Sequence, residues 1–269
     1  MTVSVSSSTP APADVVALAD ALERAEAERV QIAPLTSSHA FDPATAYAIQ
    51  RETARRRFAR GETRVGMKVG LTSEAMQRAL SVNEPDYGHL FSAMRVADGG
   101  EFAIAALMQP RIEAEIALIL GSELRGPGLT DADVLRACAY VAPALEIIDT
   151  RIRDWKITLS DTIADNGSSA RFVIGEARVA PGDLDLAAIA MTMTKNDALV
   201  GEGVGAAVLG TGPLAAVTWL ANTLADAGLV LAAGDIVLPG ALAAAVPIAA
   251  GDRIRASFAG LGDVSVAFV

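Results

Sequence analysis

The chain has 269 residues and a formal net charge of -10, a balance that argues against a nucleic-acid partner, which would favour a basic face. Apolar residues make up 52% and charged residues 20%, as in a globular protein able to bury a sizeable core. No membrane span is expected, since the charge-free stretch 203–225 is broken by Gly210, Gly212, Pro213 and Asn222. The single cysteine, Cys138, excludes an intrachain disulfide and reads as a buried structural thiol. The N-terminus lacks a basic segment followed by an apolar core, so the cytoplasm is the expected compartment.

Residues 1–12 are rich in Ser, Thr, Ala and Pro and read as a disordered tail. Helical periodicity follows over 14–29 and 43–60, defining a helical N-terminal region at 13–62. Within its second helix, Arg55, Arg56 and Arg57 suggest a solvated face or a subunit contact. After Gly61 the texture changes to short Val/Ile/Leu/Ala runs separated by Gly, Pro and Asp, which predicts strands joined by turns and a β-rich catalytic domain at 63–269. Two helices interrupt it: 130–139, with Asp131 and Asp133 in its first turn, and 214–227, bounded by Pro213 and Gly228. From Leu229 to Val269, strand-like segments alternate with turn signals. Strands and helices do not alternate regularly, so the expected class is α+β, a helical N-terminal part followed by a mainly β body.

The chemistry is concentrated in a few places. Glu113-Ala114-Glu115 lies in the apolar run 112–120, and Glu146 lies in the apolar run 143–148. If 112–120 is a strand, Glu113 and Glu115 share a face and Glu146 can approach from a neighbouring element. Three oxygen donors suit a hard cation such as Mg2+ or Mn2+, and such a site would grip a small chelating anion. The competing reading is a solvated strand face whose carboxylates are matched by Arg111, Arg151 and Arg153. Lys68, in Gly66-Met67-Lys68-Val69-Gly70, is either an edge-strand residue or an ammonium held in a pocket, where desolvation would lower its pKa. Glu84-Pro85-Asp86-Tyr87-Gly88 reads as a turn that Asp86 could cap. The polar string 161–169 is either a loop closing over a ligand or an exposed connection. Trp155-Lys156 suggests an interface or the rim of the core, and His89 and His39 are weak candidates.

Taken in order, residues 66–73, 84–88, Arg111-Ile112-Glu113-Ala114-Glu115, Pro143-Ala144-Leu145-Glu146 and 161–169 resemble the 2-keto-4-pentenoate hydratase family. That family includes the 2-oxohept-3-enedioate hydratases and 4-oxalocrotonate decarboxylases, within the fumarylacetoacetate hydrolase superfamily. The similarity runs from about Thr45 to Val269. It implies a fumarylacetoacetate-hydrolase-like body that binds Mg2+ or Mn2+ through Glu113, Glu115 and Glu146, with Lys68 and Asp86 as acid/base residues. Ser73 and Ser168 are then candidate contacts to the substrate carboxylate or the attacking water. The implied activity is hydration of a 2-hydroxy-2,4-dienoate in aromatic meta-cleavage catabolism. Alternatives are a 4-oxalocrotonate-type decarboxylase, a carbon–carbon bond hydrolase, which would want a His beside a Glu, and a non-catalytic partner subunit. A homo-oligomer is expected, with a decarboxylase or aldolase of the pathway as a possible partner. Two departures bear on the substrate pocket rather than the metal: an extra residue near Leu209-Gly210-Thr211-Gly212-Pro213, and Pro239 where relatives place Ser or Thr.

Overall fold

A computed structural model describes residues 12–269. The expected tail therefore lies outside the described residues except for Pro12, which opens α1 (Pro12–Glu28). Helix α2 (Pro43–Ala59) starts with Pro at its first position and with the Asp42 carboxylate accepting the Thr45 amide at 2.8 Å. Its buried stripe includes Ala46 and Ile49, which join Leu18, Ala19 and Leu22 of α1 in one apolar cluster. The arginine cluster has an internal use: Arg56 binds Asp20 and Glu23, and Arg57 binds Glu26, so both clasp α2 to α1. Arg55 alone stays on the exposed side, paired with Glu52.

The chain then runs β1 (Arg64–Gly70), α3 (Glu74–Leu80), β2 (Asp86–Phe91), β3 (Arg95–Val96), β4 (Glu101–Phe102) and β5 (Arg111–Leu120). Next come α4 (Asp131–Ala137), β6 (Cys138–Ile148), α5 (Leu159–Ala164), β7 (Ser169–Ile174), β8 (Ala190–Lys195) and β9 (Ala198–Val204). The last elements are α6 (Pro213–Asp226), β10 (Ile236–Leu238), β11 (Val246–Pro247), β12 (Arg253–Phe258) and β13 (Gly262–Phe268). An eight-stranded sheet has the order β2-β1-β10-β5-β6-β7-β3, with β11 also paired to β5, and a five-stranded sheet has the order β4-β13-β12-β8-β9. Both are mixed, because β1·β10, β3·β7 and β4·β13 are parallel while the other pairs are antiparallel.

Side-chain alternation gives the two faces of the large sheet different tasks. Ile112, Ala114, Ile116 and Leu118 of β5 join Ile254, Ala256, Val264 and Val266 of the smaller sheet in the main core. On the other face, Ala117 and Ile119 pack with Ala142, Ala144, Phe172, Leu238 and Ala54 of α2. Glu113 and Glu115 continue this second face, so it changes from apolar to acidic along one strand.

Two segments differ from the sequence-based expectation. The turn before β2 ends at Pro85, and Asp86 is the first residue of a buried strand. The string 161–169 is neither a lid nor an exposed loop: it is α5, a 3-10 turn and the start of β7, with Asp161, Asp165, Ser168 and Ser169 all buried. Asp161 closes a capping box with Thr158 and binds Thr36, which uses its polarity locally. Cys138 is buried at the start of β6. Among the described residues no helix is long and apolar enough to cross a membrane.

His89 lies on β2 with its ring near Phe91, and neither ring nitrogen has a hydrogen-bond partner. Burial, followed by Arg64 and Arg51, lowers its pKa from 6.5 to about 4. The folded state therefore binds fewer protons than the unfolded chain between those values. The stability it contributes is intact above the unfolded pKa and is lost as pH falls toward the folded one. In His89→Leu, the decline in stability between pH 6.5 and pH 4 should shrink by roughly 3 kcal/mol relative to the parent protein. Urea titrations across that interval check this, and parallel pH curves would refute it.

Candidate metal and acid–base site

Register places the acidic residues together. β5 and β6 pair antiparallel with Glu113 directly opposite Glu146, and Glu115 one step along opposite Ala144. Like charges facing each other across a strand pair destabilise it, so something must favour the arrangement. One carboxylate oxygen from each of Glu113, Glu115 and Glu146 lies within 4.8 Å of the others. Glu115 and Glu146 are fully buried and Glu113 is half-buried. Glu115 Oε2 accepts the Gly240 amide at 2.7 Å, whereas its Oε1 and both oxygens of Glu146 accept no hydrogen bond. Burial, then the facing Glu146, pushes the Glu113 carboxyl up to about 7, and burial with Glu146 and Glu113 holds Glu115 well above the carboxylate range.

The arginines do not neutralise this cluster. Arg151 is committed to Asp165, Arg153 donates to the Gln31 carbonyl, and Arg111 stacks 4.7 Å from the centre of the Trp155 ring. That stack also places Trp155, whose indole N–H donates to the Gln109 carbonyl at 3.1 Å. Three carboxylates with oxygens within 4.8 Å of one another, and with buried oxygens of Glu115 and Glu146 that have no donor, fit a hard divalent ion.

Among the described residues the cation ion-paired to the cluster is Lys68, whose Nζ lies 3.4 Å from Glu146 Oε2. Its pKa moves opposite to the expectation from burial. Desolvation pulls it down, but Glu146, Asp86, Glu113 and Glu115 together hold it above the usual lysine value. Composition could not reveal this, because those partners come from three other strands. Asp86 reaches the same face through β2, opposite Gly70 of β1. Its Oδ2 accepts the Thr162 hydroxyl at 3.2 Å, its Oδ1 has no partner, and burial raises its pKa. Space for these groups comes from missing side chains. A Cβ at Gly70 would lie 2.1 Å from Asp86 Oδ1, and one at Gly167, where φ is +59°, would lie 3.2 Å from Lys68 Cδ.

The hydroxyl candidates divide. Ser168 is buried next to Gly167 and its Oγ has no partner, whereas Ser73 caps α3 by accepting the Met76 amide at 3.3 Å. His39 pairs with Ser38 on the surface, and His89 belongs to the packing around Phe91. Sequence reasoning missed Thr162 and the Gly240 amide. The second lies in the segment singled out for Pro239: a Cβ at Gly240 would come within 2.1 Å of Thr72 Oγ1, so glycine permits the close approach that brings its N–H to Glu115.

Residues 68–269, which include every carboxylate and lysine of this cluster, match the fumarylacetoacetate (FAA) hydrolase C-terminal domain. The chain belongs to the fumarylacetoacetate hydrolase family. It is 47% identical over 240 residues to the 2-hydroxyhexa-2,4-dienoate hydratase of Comamonas testosteroni, covering 88% of this chain and 90% of the relative. It is also 47% identical over 253 residues to 2-keto-4-pentenoate hydratase 1 of Dechloromonas aromatica, covering 94% and 96% of the two chains. Among solved structures, the 4-oxalocrotonate decarboxylase of Pseudomonas putida G7, complexed with magnesium and adipate, superposes with a TM-score of 0.94 at 40% identity. That superposition covers 97% of this chain and 99% of the decarboxylase.

A candidate ligand set held together against its own repulsion makes a specific prediction for this family member. Glu113→Gln should raise the melting temperature of metal-free protein by about 2–4 °C, the shift expected for roughly 1 kcal/mol at this chain length. The same variant should lose most of the stabilisation that Mg2+ gives the parent protein. Thermal melts with chelator and with Mg2+ read both effects; a variant that gains from Mg2+ as much as the parent would remove Glu113 from the ligand set.

Proposed function

We propose that the chain is a divalent-metal-dependent hydro-lyase that adds water to a 2-hydroxy-2,4-dienoate, of the 2-keto-4-pentenoate type, to give a 4-hydroxy-2-oxoalkanoate in aromatic meta-cleavage catabolism. The observation that carries this reading is the trio Glu113, Glu115 and Glu146, largely buried and without an arginine ion pair among the described residues, with Lys68 beside it. Relatives named as hydratases at 47% identity support it. Glu113, Glu115 and Glu146 would hold Mg2+ or Mn2+. When bound there, the ion supplies positive charge for the C1 carboxylate and C2 oxygen of the substrate.

The remaining work falls to side chains of this protein. Lys68, kept as an ammonium by its carboxylate neighbours, donates a hydrogen bond to the C2 oxygen and stabilises its developing negative charge. Asp86, whose carboxyl is made easier to protonate by burial, takes the 2-hydroxyl proton and passes it to the distal carbon. The 2-hydroxyl loses a proton while the distal carbon gains one, which turns the dienol into an α,β-unsaturated ketone. Water then places its hydroxyl on C4 and its remaining proton on C3, so one water is consumed and no proton is lost overall. The unpartnered hydroxyl of Ser168 would orient the water or the carboxylate, with Ser73, whose hydroxyl caps α3, as a second candidate. In this reading residues 13–62 support a catalytic domain at 63–269, and the working form is a cytoplasmic homo-oligomer, alone or with a decarboxylase or aldolase of the same route.

The decarboxylase neighbour, with its TM-score of 0.94, favours one second reading, in which the same groups act as carbon dioxide leaves a vinylogous keto acid. Supplying 2-hydroxypenta-2,4-dienoate and 4-oxalocrotonate separately with Mg2+, while following dienol absorbance and carbon dioxide, separates the two. Loss of absorbance from the dienoate without carbon dioxide is expected; release of carbon dioxide from 4-oxalocrotonate without dienoate turnover would put decarboxylation in its place. Lys68→Ala should lower dienoate turnover by about 100-fold or more without weakening Mg2+ binding measured by calorimetry. An unchanged rate would remove Lys68 from the mechanism.

A further inference from the structure

Gln50 of α2 is 1% exposed, unusual for a glutamine on the apolar stripe of a helix. Its amide nitrogen donates to two carbonyls, Tyr87 O and Ile163 O, each at 2.8 Å. Both carbonyls need an outside donor for reasons set by the fold. β2 is the edge of the large sheet, so its outward-facing backbone groups have no strand to pair with. Ile163 lies in the last turn of α5, where its carbonyl has no i+4 helical donor and only a share of the Asp165 N–H, which also points to Asp161 O. The residues carrying these carbonyls directly neighbour Asp86 and Thr162, which hydrogen-bond to each other at 3.2 Å. Tyr47, one turn earlier on α2, stacks on Tyr87 with ring centres 4.3 Å apart and supports the same junction.

We infer that Gln50 is a positioning residue for proton transfer: it ties β2 to α5 so that the Thr162 hydroxyl and the Asp86 carboxylate stay in register beside Lys68. This rests on the hydratase reading for the role of Asp86. It goes beyond the family match, because the matched domain begins at residue 68 and Gln50 lies outside it. Without the double donation, Tyr87 O and Ile163 O both lose their side-chain donor and β2 is free to shift against α5. A displacement on the order of 1 Å at a reacting group can cost about a hundredfold in rate. The three glutamates sit on β5 and β6, strands that Gln50 does not bind, so on this proposal their geometry holds when Gln50 changes.

The test is a double-mutant cycle with Gln50→Met, which keeps the volume and removes both donors, and Thr162→Val, which removes the Asp86 hydrogen bond directly. Gln50→Met should lower kcat about tenfold or more, with KM for the dienoate and Mg2+ affinity by calorimetry each within about twofold of the parent. The double variant should fall little below the worse single variant, because both changes act through the same pair. Gln50→Asn, too short to reach both carbonyls, gives an intermediate kcat and serves as the second probe if Gln50→Met does not fold. Independent, multiplying effects of the two substitutions, or a Gln50→Met enzyme with parental kcat, would overturn the proposal. So would parallel losses of kcat and Mg2+ affinity, which mark a merely structural role. Parent turnover of the dienoate in the same assay reports on the hydratase reading, and the ratios among variants report on Gln50.

Discussion

The mutual repulsion of Glu113, Glu115 and Glu146, gathered within 4.8 Å on one face of a sheet, is the constraint around which the rest is organised. A strand pair with two glutamates directly opposite is unfavourable by itself, and burial makes it worse by removing water that would screen the charges. The fold answers only in part. Lys68 approaches Glu146, and the Gly240 amide binds Glu115, but one ammonium and one N–H leave several buried oxygens without donors. The residual demand for positive charge is one that a divalent ion would satisfy.

That constraint is stable because of what lies on the other side of the same strands. Ile112, Ala114, Ile116 and Leu118 anchor β5 in the core between the two sheets, so the register that opposes Glu113 to Glu146 cannot slip without turning those side chains out of the core. Further along the acidic face, Ala117, Ile119, Ala142 and Ala144 pack beneath α2 and exclude water from one end of the site. Glycines at 70, 167 and 240 remove the side chains that would separate Asp86, Lys68 and Glu115 from their neighbours. The acidic face thus depends on apolar packing behind it and small residues around it.

What the sequence disclosed follows the range of the interaction concerned. Glu113 and Glu115 were legible because a period of two is local to one strand, and Glu146 because three carboxylates in apolar runs demand compensation. The helix at 43–60 was legible from its periodicity and that at 214–227 from its bounding Pro213 and Gly228, and α2 and α6 formed there. The sign of the Lys68 shift was not legible, since desolvation can be guessed from a glycine-flanked apolar segment but four carboxyl groups brought from three other strands cannot. Asp86 looked like a turn residue because Glu84 and Pro85 precede it, and only pairing with β1 makes it a strand residue. Residues 161–169 looked like a loop because capping and buried hydrogen bonds use the same residue types as exposed turns. Gln50 left one trace, a polar residue on the stripe of Ala46 and Ile49, but its partners lie 37 and 113 residues away.

The most direct measurement of the central claim is anomalous diffraction from crystals of this protein grown with Mn2+. A single strong peak about 2.1 Å from one oxygen each of Glu113, Glu115 and Glu146, with Lys68 and Asp86 on the same side of the sheet, is the predicted result. A map without a peak among those oxygens, or with the ion held by other residues while the three glutamates separate, would contradict it.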